Sequence, residues 1–347
     1  MRARHRNNLE KFEWKMKAAV IILNWNGEKL LQDFLPSVIK NTNPALGKVV
    51  VADNASTDRS LEVMRAQFPE VEVVVLDKNY GFAGGYNRVI AGREEDVVVL
   101  LNSDVEVAEG WLEPLLEALE REERLVAVQP KIKSYRDKDY FEYAGACGGF
   151  LDYLGFPFCR GRILNDVEKD EGQYDDEREV FWCSGAALCI RRRAYLDAGG
   201  LDERFFAHME EIDLCWRLRN QGAVLKVCPR SVVYHLGGGS LPMNHPRKLF
   251  LNYRNNWLML YKNLSPKAWR RIIWRRRLLD LAAVGMFLLK GEMRNVSAIV
   301  EACREFRSMK KYYIPPLRSG KDSCIYPRSL VFQYYFRRVR IFSRLWE

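Results

Sequence analysis

A chain of 347 residues with 48% hydrophobic and 29% charged residues has room for one large α/β domain with an additional region, or for two domains, and its composition excludes a disordered protein. The formal net charge of +10 is concentrated in the first 17 residues and after residue 245, where arginines are mixed with aromatic and aliphatic residues. Such charge suits an anionic membrane surface or a nucleic acid, and does not choose between them.

Strands and helices alternate in the first third of the chain. Strands are expected at 18–23, 48–53, 71–76 and 96–101, and helices at 28–41, 58–67, 83–92 and 110–121. Helices of this length between strands predict βαβ units and a parallel sheet.

The pattern is less regular after residue 125. Further strands are expected within 125–132 and 179–192, with a glycine-rich and acidic loop region at 144–179 between them. A helix at 210–221 and a strand at 224–229 follow, and the rest of the chain has a helical, basic pattern.

The cysteines and the apolar segments indicate a cytoplasmic protein. The eight cysteines show no Cys-x-x-Cys pair and no zinc-like spacing, and several lie in apolar surroundings, so reduced buried thiols are expected. No signal peptide is predicted at the basic N-terminus. The apolar segment 278–289 contains Asp280 and is too short to span a bilayer, so no transmembrane helix is expected.

Polar residues follow each of the first four strands, at 24–27, 53–54, 77–81 and 102–104. The carboxyl ends of parallel strands lie along one edge of a sheet, where open α/β sheets bind their ligands. The first strand is followed by NWNGEK, which is neither a dinucleotide-binding glycine motif nor a phosphate loop. This argues against NAD enzymes and P-loop ATPases.

Six segments in this order closely resemble the inverting, nucleotide-sugar-dependent glycosyltransferases of family 2: VIILNWNG, VVVADNASTD, NYGFAGGYN, VVVLLNSD, SGAALCIRR and LDERFFAHMEEIDLCWRLRNQG. The nearest match is the bacterial rhamnosyltransferase-like branch, over about residues 17–262. The resemblance implies an α/β GT-A fold, with a Rossmann-like, mostly parallel central sheet flanked by helices. The expected parts are a basic tail at 1–16, a catalytic domain at 17–262 and a basic helical C-terminal region at 263–347.

The resemblance also implies a donor pocket along the strand ends. Asp53 would accept hydrogen bonds from a pyrimidine base, and the other residues implied in donor binding are Asn24, Asn26, Asn79, Gly84, Asn87, Asn102 and Gly185. Two ordinary structural roles remain open at this stage. Asp58 fits a helix cap as well as a nucleotide contact, and the small residues around Gly185 fit close strand packing.

A divalent metal is implied by the position of Asn102-Ser103-Asp104, which is that of the family's Asp-x-Asp motif. One carboxylate can anchor such an ion when substrate phosphates complete its coordination. The family uses a histidine at the place of His235 as a further ligand, although a histidine after a strand also fits an ordinary core position. Imidazole favours Mn²⁺ and leaves Mg²⁺ open.

The general base is expected in HMEEIDLCWRLR, and by position in the family it is Glu211, with Asp213 or Glu210 assisting. The family's acidic pair is usually Glu-Asp, so the longer Glu211 side chain is a departure from the pattern. A structural alternative is that acidic residues favour the first turn of a helix and that Asp213 pairs with Arg217.

The resemblance implies metal-assisted, inverting transfer of a sugar from a dTDP- or UDP-linked donor to a glycan or lipid-linked acceptor in cell-envelope polysaccharide synthesis, and the branch favours dTDP-rhamnose as the donor. The basic and aromatic residues after 245 fit the core face of packed helices as well as an anionic membrane surface, and the expectation is peripheral attachment to the inner face of the bacterial cytoplasmic membrane. No nucleic-acid partner is expected. The alternatives, a basic nucleic-acid-binding protein and a nucleotidyltransferase, explain the strand ends and the acidic cluster less well.

Overall fold

The computed structural model describes residues 15–237, 245–317 and 322–347. Its strands are β1 (Ala18–Asn24), β2 (Gly47–Asp53), β3 (Glu72–Val75), β4 (Val97–Asn102), β5 (Val105–Val107), β6 (Leu125–Ser134), β7 (Gly149–Asp152), β8 (Pro157–Cys159), β9 (Arg162–Ile163), β10 (Asp166–Val167), β11 (Arg178–Glu179), β12 (Ala187–Arg191), β13 (Val224–His235) and β14 (Ile325–Tyr326). Its α-helices are α1 (Glu28–Asn41), α2 (Ser60–Gln67), α3 (Gly81–Ala91), α4 (Glu113–Arg121), α5 (Arg192–Asp197), α6 (Glu210–Asn220), α7 (Pro246–Asn263), α8 (Pro266–Leu289), α9 (Met293–Met309) and α10 (Leu330–Tyr335).

The larger sheet has the strand order β11-β13-β6-β12-β4-β1-β2-β3, and β5 pairs with β13. Strands β4, β1, β2 and β3 are mutually parallel, as the alternating sequence predicts. All five apolar residues of β4 are fully buried, because β1 pairs on one side, β12 pairs antiparallel on the other, and the sheet is covered on both faces.

The region 144–179, expected as a loop, instead contains four short strands of a second sheet. This sheet has the order β10-β9-β8-β7-β14. The prediction was wrong because its strands have only two to four residues each, too few to show a period of two. Its last strand comes from residues 325–326, which no local sequence pattern connects with residue 150.

The C-terminal residues pack against the rest of the chain. Strand β14 pairs in parallel with β7, and the backbone N–H of Leu330 donates to the buried Asp152 carboxylate over 2.8 Å. The ring of Phe342 lies 5.2 Å from that of Phe150 between centroids. The division at residue 262 stays a prediction, but the region after it contributes to the second sheet and its core. None of the described helices is long and apolar enough to cross a membrane.

Candidate active site

The ends of β1 and β2 form a compact polar network. The Asn24 side chain is fully buried, and its Nδ2 donates to Asp53 Oδ1 over 3.1 Å and to Ser56 Oγ over 3.2 Å. The other Asp53 oxygen accepts from the Ser56 backbone N–H over 2.9 Å. Asn24 Oδ1 has no hydrogen-bond partner among the described residues, which leaves one buried acceptor for a ligand.

The turn after β1 is shaped by Asn26 and Gly27. Asn26 has a positive φ of 51°, and its Oδ1 accepts from the Thr57 backbone N–H over 2.7 Å. A Cβ atom on Gly27 would lie 2.3 Å from Asn24 Oδ1, so only glycine leaves room for that carboxamide. Asp58 accepts from the backbone N–H groups of Glu28 and Ser60, and therefore holds the first turns of α1 and α2.

Three residues predicted at the donor site lie around α3. Asn79 Oδ1 accepts from the Gly81 backbone N–H over 2.8 Å and from Asn54 Nδ2 over 3.1 Å, at the start of α3. Asn87 is held by another part of the chain, because its Nδ2 donates to the Leu201 carbonyl over 2.8 Å. Gly84 also faces the segment that contains Leu201, since a Cβ atom on Gly84 would lie 3.3 Å from the Glu203 carboxylate. The structure therefore groups Asn79 with the strand ends, and places Gly84 and Asn87 against the segment 201–203.

The end of β4 approaches the end of β13. His235 Nε2 lies 3.1 Å from Asp104 Oδ1 and 3.3 Å from Asn102 Nδ2. On its other side, His235 Nδ1 lies 3.3 Å from Glu142 Oε2. All of these side chains except that of Asn102 are more than nine-tenths buried. Burial lowers the pKa of His235, but the hydrogen bond with Asp104 and the Glu142 carboxylate outweigh it and raise this pKa to about 10.

Asp104 and the neutral form of His235 fit a divalent cation, and a cation bound there would displace the proton that the raised pKa of His235 retains. Ligand distances of about 2.1 Å place neighbouring octahedral donor atoms about 3 Å apart, close to the separation of Asp104 Oδ1 and His235 Nε2. The described residues contain no group of three His, Cys, Asp or Glu side chains that could hold a metal ion. A metal bound here would therefore have two protein ligands and would need oxygens from a bound diphosphate.

The acidic residues of α6 follow a strained turn. Phe206, His208 and Met209 all have positive φ angles, between 65° and 72°, which non-glycine residues rarely adopt. The Asn255 side chain, fully buried on α7, donates to the carbonyls of Phe205, Ala207 and His208 over 2.8–2.9 Å. One amide group thus holds the turn in a conformation that it would not adopt alone.

Glu210 and Glu211 are placed where their charge is costly. The Oε2 atoms of both are buried without a hydrogen-bond partner among the described residues. Burial and the neighbouring Glu211 charge raise the pKa of Glu210 well above its usual range. Burial also raises the pKa of Glu211, to about 7, against the lowering effect of the helix N–H groups. A carboxyl group that titrates near neutral pH is suited to general base catalysis.

Asp213 has a different environment from the two glutamates. Its carboxylate is fully buried, forms ion pairs with Arg217 over 2.9 Å and Lys262 over 2.8 Å, and accepts from Asn263 Nδ2 over 2.8 Å. These contacts join α6 to α7, as in the structural alternative for this residue. The geometry does not place Asp213 with Glu211 as an assisting group.

Residues 184–186 lie between Glu211 and the end of β4. The Cα of Gly185 faces Glu211, because a Cβ built on it would lie 3.7 Å from the Glu211 Cβ. The next residue, Ala186, accepts from the backbone N–H of Asn102 over 3.0 Å. The preceding Ser184 donates its hydroxyl to the carbonyl of Ala144. The backbone N–H of Ala144 donates in turn to the Glu142 carboxylate. Gly185 and Ala186 therefore lie between Glu211 and the end of β4, which leads to Asp104.

Sequence reasoning missed Glu142 and Asn255. Glu142 lies in the region between the predicted strands, and nothing near it in the sequence indicates that it faces His235. Asn255 belongs to the pair Asn255-Asn256 inside a helix, an uncommon position for two amides, and this pair was an available signal.

Comparison with known proteins identifies similar chains. A model of the family "Glycosyl transferase family 2" matches residues 19–195. The N-acetylglucosaminyl-diphospho-decaprenol L-rhamnosyltransferase of Mycobacterium tuberculosis is 30% identical over 259 residues, which cover 70% of this chain and 83% of that protein. The pre-mycofactocin glycosyltransferase of the same organism is 28% identical over 190 residues, 54% of this chain and 37% of that protein.

Solved structures show the same fold at low sequence identity. TarS of S. aureus in complex with UDP-GlcNAc has a TM-score of 0.57 and 16% identity, over 84% of this chain and 80% of that chain. GalNAc-T7 with UDP, GalNAc and Mn²⁺ has a TM-score of 0.56 and 16% identity, over 73% of this chain and about half (49%) of that chain. The predicted GT-A fold is confirmed.

Proposed function

The chain belongs to glycosyl transferase family 2, and we propose that it transfers a sugar, with inversion, from a nucleotide diphosphate sugar to a hydroxyl group of a lipid-linked glycan. The observation that carries the proposal is the position of Glu211. Its unpaired, buried carboxylate lies across Gly185 from the strand that leads to Asp104. A donor bound along the strand ends would place its anomeric carbon between them.

The proposed reaction is a single displacement. The acceptor oxygen attacks the anomeric carbon, its proton passes to Glu211, and the bond to the nucleoside diphosphate breaks. Asp53 and Asn24 bind the pyrimidine base, and Asn26, Asn79 and Asn102 line the pocket. Glu210 stays protonated beside the charge of Glu211. Asp104 and His235 would hold a Mn²⁺ or Mg²⁺ ion, which would supply positive charge to the leaving diphosphate.

The sugar and the acceptor are proposed from the relative in M. tuberculosis, whose name specifies rhamnosyl transfer to N-acetylglucosaminyl-diphospho-decaprenol. We propose a deoxythymidine- or uridine-diphosphate donor, with dTDP-rhamnose first, and a lipid-linked acceptor that ends in N-acetylglucosamine. The enzyme would act on the inner face of the cytoplasmic membrane, in the synthesis of cell-envelope polysaccharide, and without a nucleic-acid partner.

A donor screen tests the proposal. The protein is mixed with a panel of nucleotide sugars, Mn²⁺ and an extracted polyprenyl-diphosphate N-acetylglucosamine, and the released nucleoside diphosphate is measured. Release is expected with dTDP-rhamnose or a UDP-sugar and not with purine-linked donors. The proposal fails if no pyrimidine donor is consumed and no pyrimidine diphosphate raises the melting temperature, while nucleic acid binds tightly.

A further inference from the structure

We propose that the exposed face of α8 is a membrane-docking surface that rests on anionic lipid, and this inference rests on the proposed lipid-linked acceptor. The docking face, as we name it, begins with Lys267, Arg270 and Arg271 and continues through Trp274, Leu278 and Leu281. Further along the helix, Leu288 and Leu289 extend it.

The apolar side chains of the docking face are largely exposed to solvent. Trp274, Leu278 and Leu281 are 69%, 66% and 65% exposed, and Leu289 is 92% exposed. Residues 274, 278 and 281 are separated by four and three positions, so their side chains lie on one side of the helix. A continuous apolar stripe of this kind on a protein surface marks an interaction site.

The opposite side of α8 anchors the helix to the protein. Ile272 and Ile273 are buried, and Arg276 donates to the Asn256 Oδ1 on α7 over 2.7 Å and to the Leu154 carbonyl over 3.2 Å. The apolar residues of the docking face are therefore left outside after the helix has packed its other side.

The charge of the docking face is of one sign. Five exposed basic residues lie in the first half of α8: Lys267, Arg270, Arg271, Arg275 and Arg277. The one acidic residue of the helix, Asp280, is buried and accepts from Arg276 over 3.1 Å. The face is therefore basic at its start and apolar at its end, which matches a bilayer with anionic headgroups above an acyl interior.

A lipid surface fits this face better than other partners. A second copy of the chain would bring two sets of like charges together, which opposes a symmetric dimer. Nucleic acid would pair with the arginines but would leave the leucines at 278, 281 and 289 in water, because bases stack on aromatic and not on aliphatic side chains. None of the described helices is long and apolar enough to span a bilayer. We therefore infer that α8 lies on the membrane surface, where its basic residues meet the anionic headgroups.

The buried side of α8 contacts α7, the helix that holds the turn before Glu210 and Glu211. Arg276, on the buried side of α8, donates a hydrogen bond to the Asn256 side chain. The adjacent Asn255 donates to carbonyls of the turn that precedes Glu210 and Glu211.

The test is flotation of the full chain with vesicles of phosphatidylcholine alone or mixed with phosphatidylglycerol. The double variant Arg271→Glu/Leu278→Glu changes two exposed residues seven positions apart on the face. The matched control Arg193→Glu/Leu196→Glu makes the same two changes on α5, where Arg193 and Leu196 are also exposed. We expect the wild type and the control to float with the anionic vesicles, and the α8 variant to lose at least about tenfold in binding.

The experiment uses neither donor nor acceptor, so its failure is distinguishable from failure of the proposed transfer reaction. Release of diphosphate with a short-chain, water-soluble acceptor is expected to be the same in the wild type and in both double variants. Equal flotation of the wild type and the α8 variant overturns the proposal. An equal loss of vesicle binding in the α5 control also overturns it. The same holds if the wild type forms a dimer and does not float, or if it binds RNA and no vesicles.

Discussion

Two regions of the proposed site are built in opposite ways: the donor edge, at the ends of β1 and β2, and the base turn, at residues 205–211. At the donor edge, the Asn24, Asp53 and Ser56 side chains bond one another and the backbone, and one buried acceptor is left for a ligand. At the base turn, Glu210 and Glu211 follow three residues with positive φ and leave buried oxygens unpaired. The first region is organised for binding, whereas the second holds the carboxylates in an unfavourable state that favours proton transfer.

This comparison shows why the two regions should respond differently to substitution. Changes at the donor edge remove contacts that bind the ground state, so donor affinity should suffer. Changes at the base turn remove a group that acts only as the proton leaves the acceptor, so turnover should suffer and folding stability should rise.

The largest effect is expected from Glu211→Gln. Turnover should fall about 10²–10⁴-fold while donor affinity stays unchanged, because the amide cannot accept the acceptor proton. Steady-state kinetics and titration of the donor diphosphate separate the two quantities. The exposed Glu123→Gln change is the control and should leave both unchanged. Turnover retained by the Glu211 variant would show that another group is the base.

The same substitution should stabilise the fold in a pH-dependent way. The pKa of Glu211 is raised to about 7 in the folded protein, so the ionised form opposes folding above that pH. Glu211→Gln should therefore raise the free energy of unfolding by about 1–3 kcal/mol near pH 8. The gain should shrink as the pH falls from 7 towards the pKa of the unfolded chain. Denaturant unfolding at several pH values measures it, and a gain that grows at acidic pH would contradict the buried carboxylate.

Asp104→Asn should have the next largest effect, about 10²–10³-fold on turnover, because one of two proposed metal ligands loses its charge. Electron paramagnetic resonance of Mn²⁺ with a pyrimidine diphosphate present should show weaker binding. Asp96→Asn, before the other end of β4, is the control, since the Asp96 carboxylate accepts from the Lys17 backbone N–H over 3.1 Å. Unchanged Mn²⁺ binding in the Asp104 variant would remove this residue from the metal site.

The sequence predicted the donor edge better than the base turn for a physical reason. The apolar run of β4 and its polar end are adjacent in the chain, and parallel pairing alone brings Asn24, Asp53 and Asp104 to one edge. Glu211 was identified by family position, but its burial and the strain before it depend on α7, about forty residues later. Local patterns carry no information about such contacts.

The parts of the fold that escaped prediction also depend on distant contacts. The second sheet is completed by β14, more than 150 residues after β7. Glu142 faces His235 because its backbone N–H donates to Ile132 of β6, and β6 pairs with β13. Long helices and buried parallel strands can be predicted from periodicity, whereas two-residue strands and single buried side chains cannot.

Asn255→Ala should reduce turnover about 10- to 100-fold with donor affinity unchanged, because the strained turn before Glu210 loses three hydrogen bonds and the base shifts. Asn256→Ala is a matched control, since the adjacent buried amide donates to the Gly155 carbonyl and accepts from Arg276, and contacts none of the carbonyls of the turn in the described hydrogen bonds. Both variants should be destabilised by about 1–3 kcal/mol, and only the first should lose turnover. Equal turnover in the two variants would mean that Asn255 serves folding alone.

The smallest effect is expected at the donor edge. Asp53→Asn should weaken binding of a pyrimidine diphosphate about tenfold and change turnover at saturating donor by less, because the lost hydrogen bonds act equally before and during the reaction. Asp33→Asn, an exposed change on α1, is the control. Calorimetric titration gives the affinity. A variant that binds the diphosphate as the wild type does but turns over slowly would place Asp53 in the chemical step, and would remove the contrast between the donor edge and the base turn.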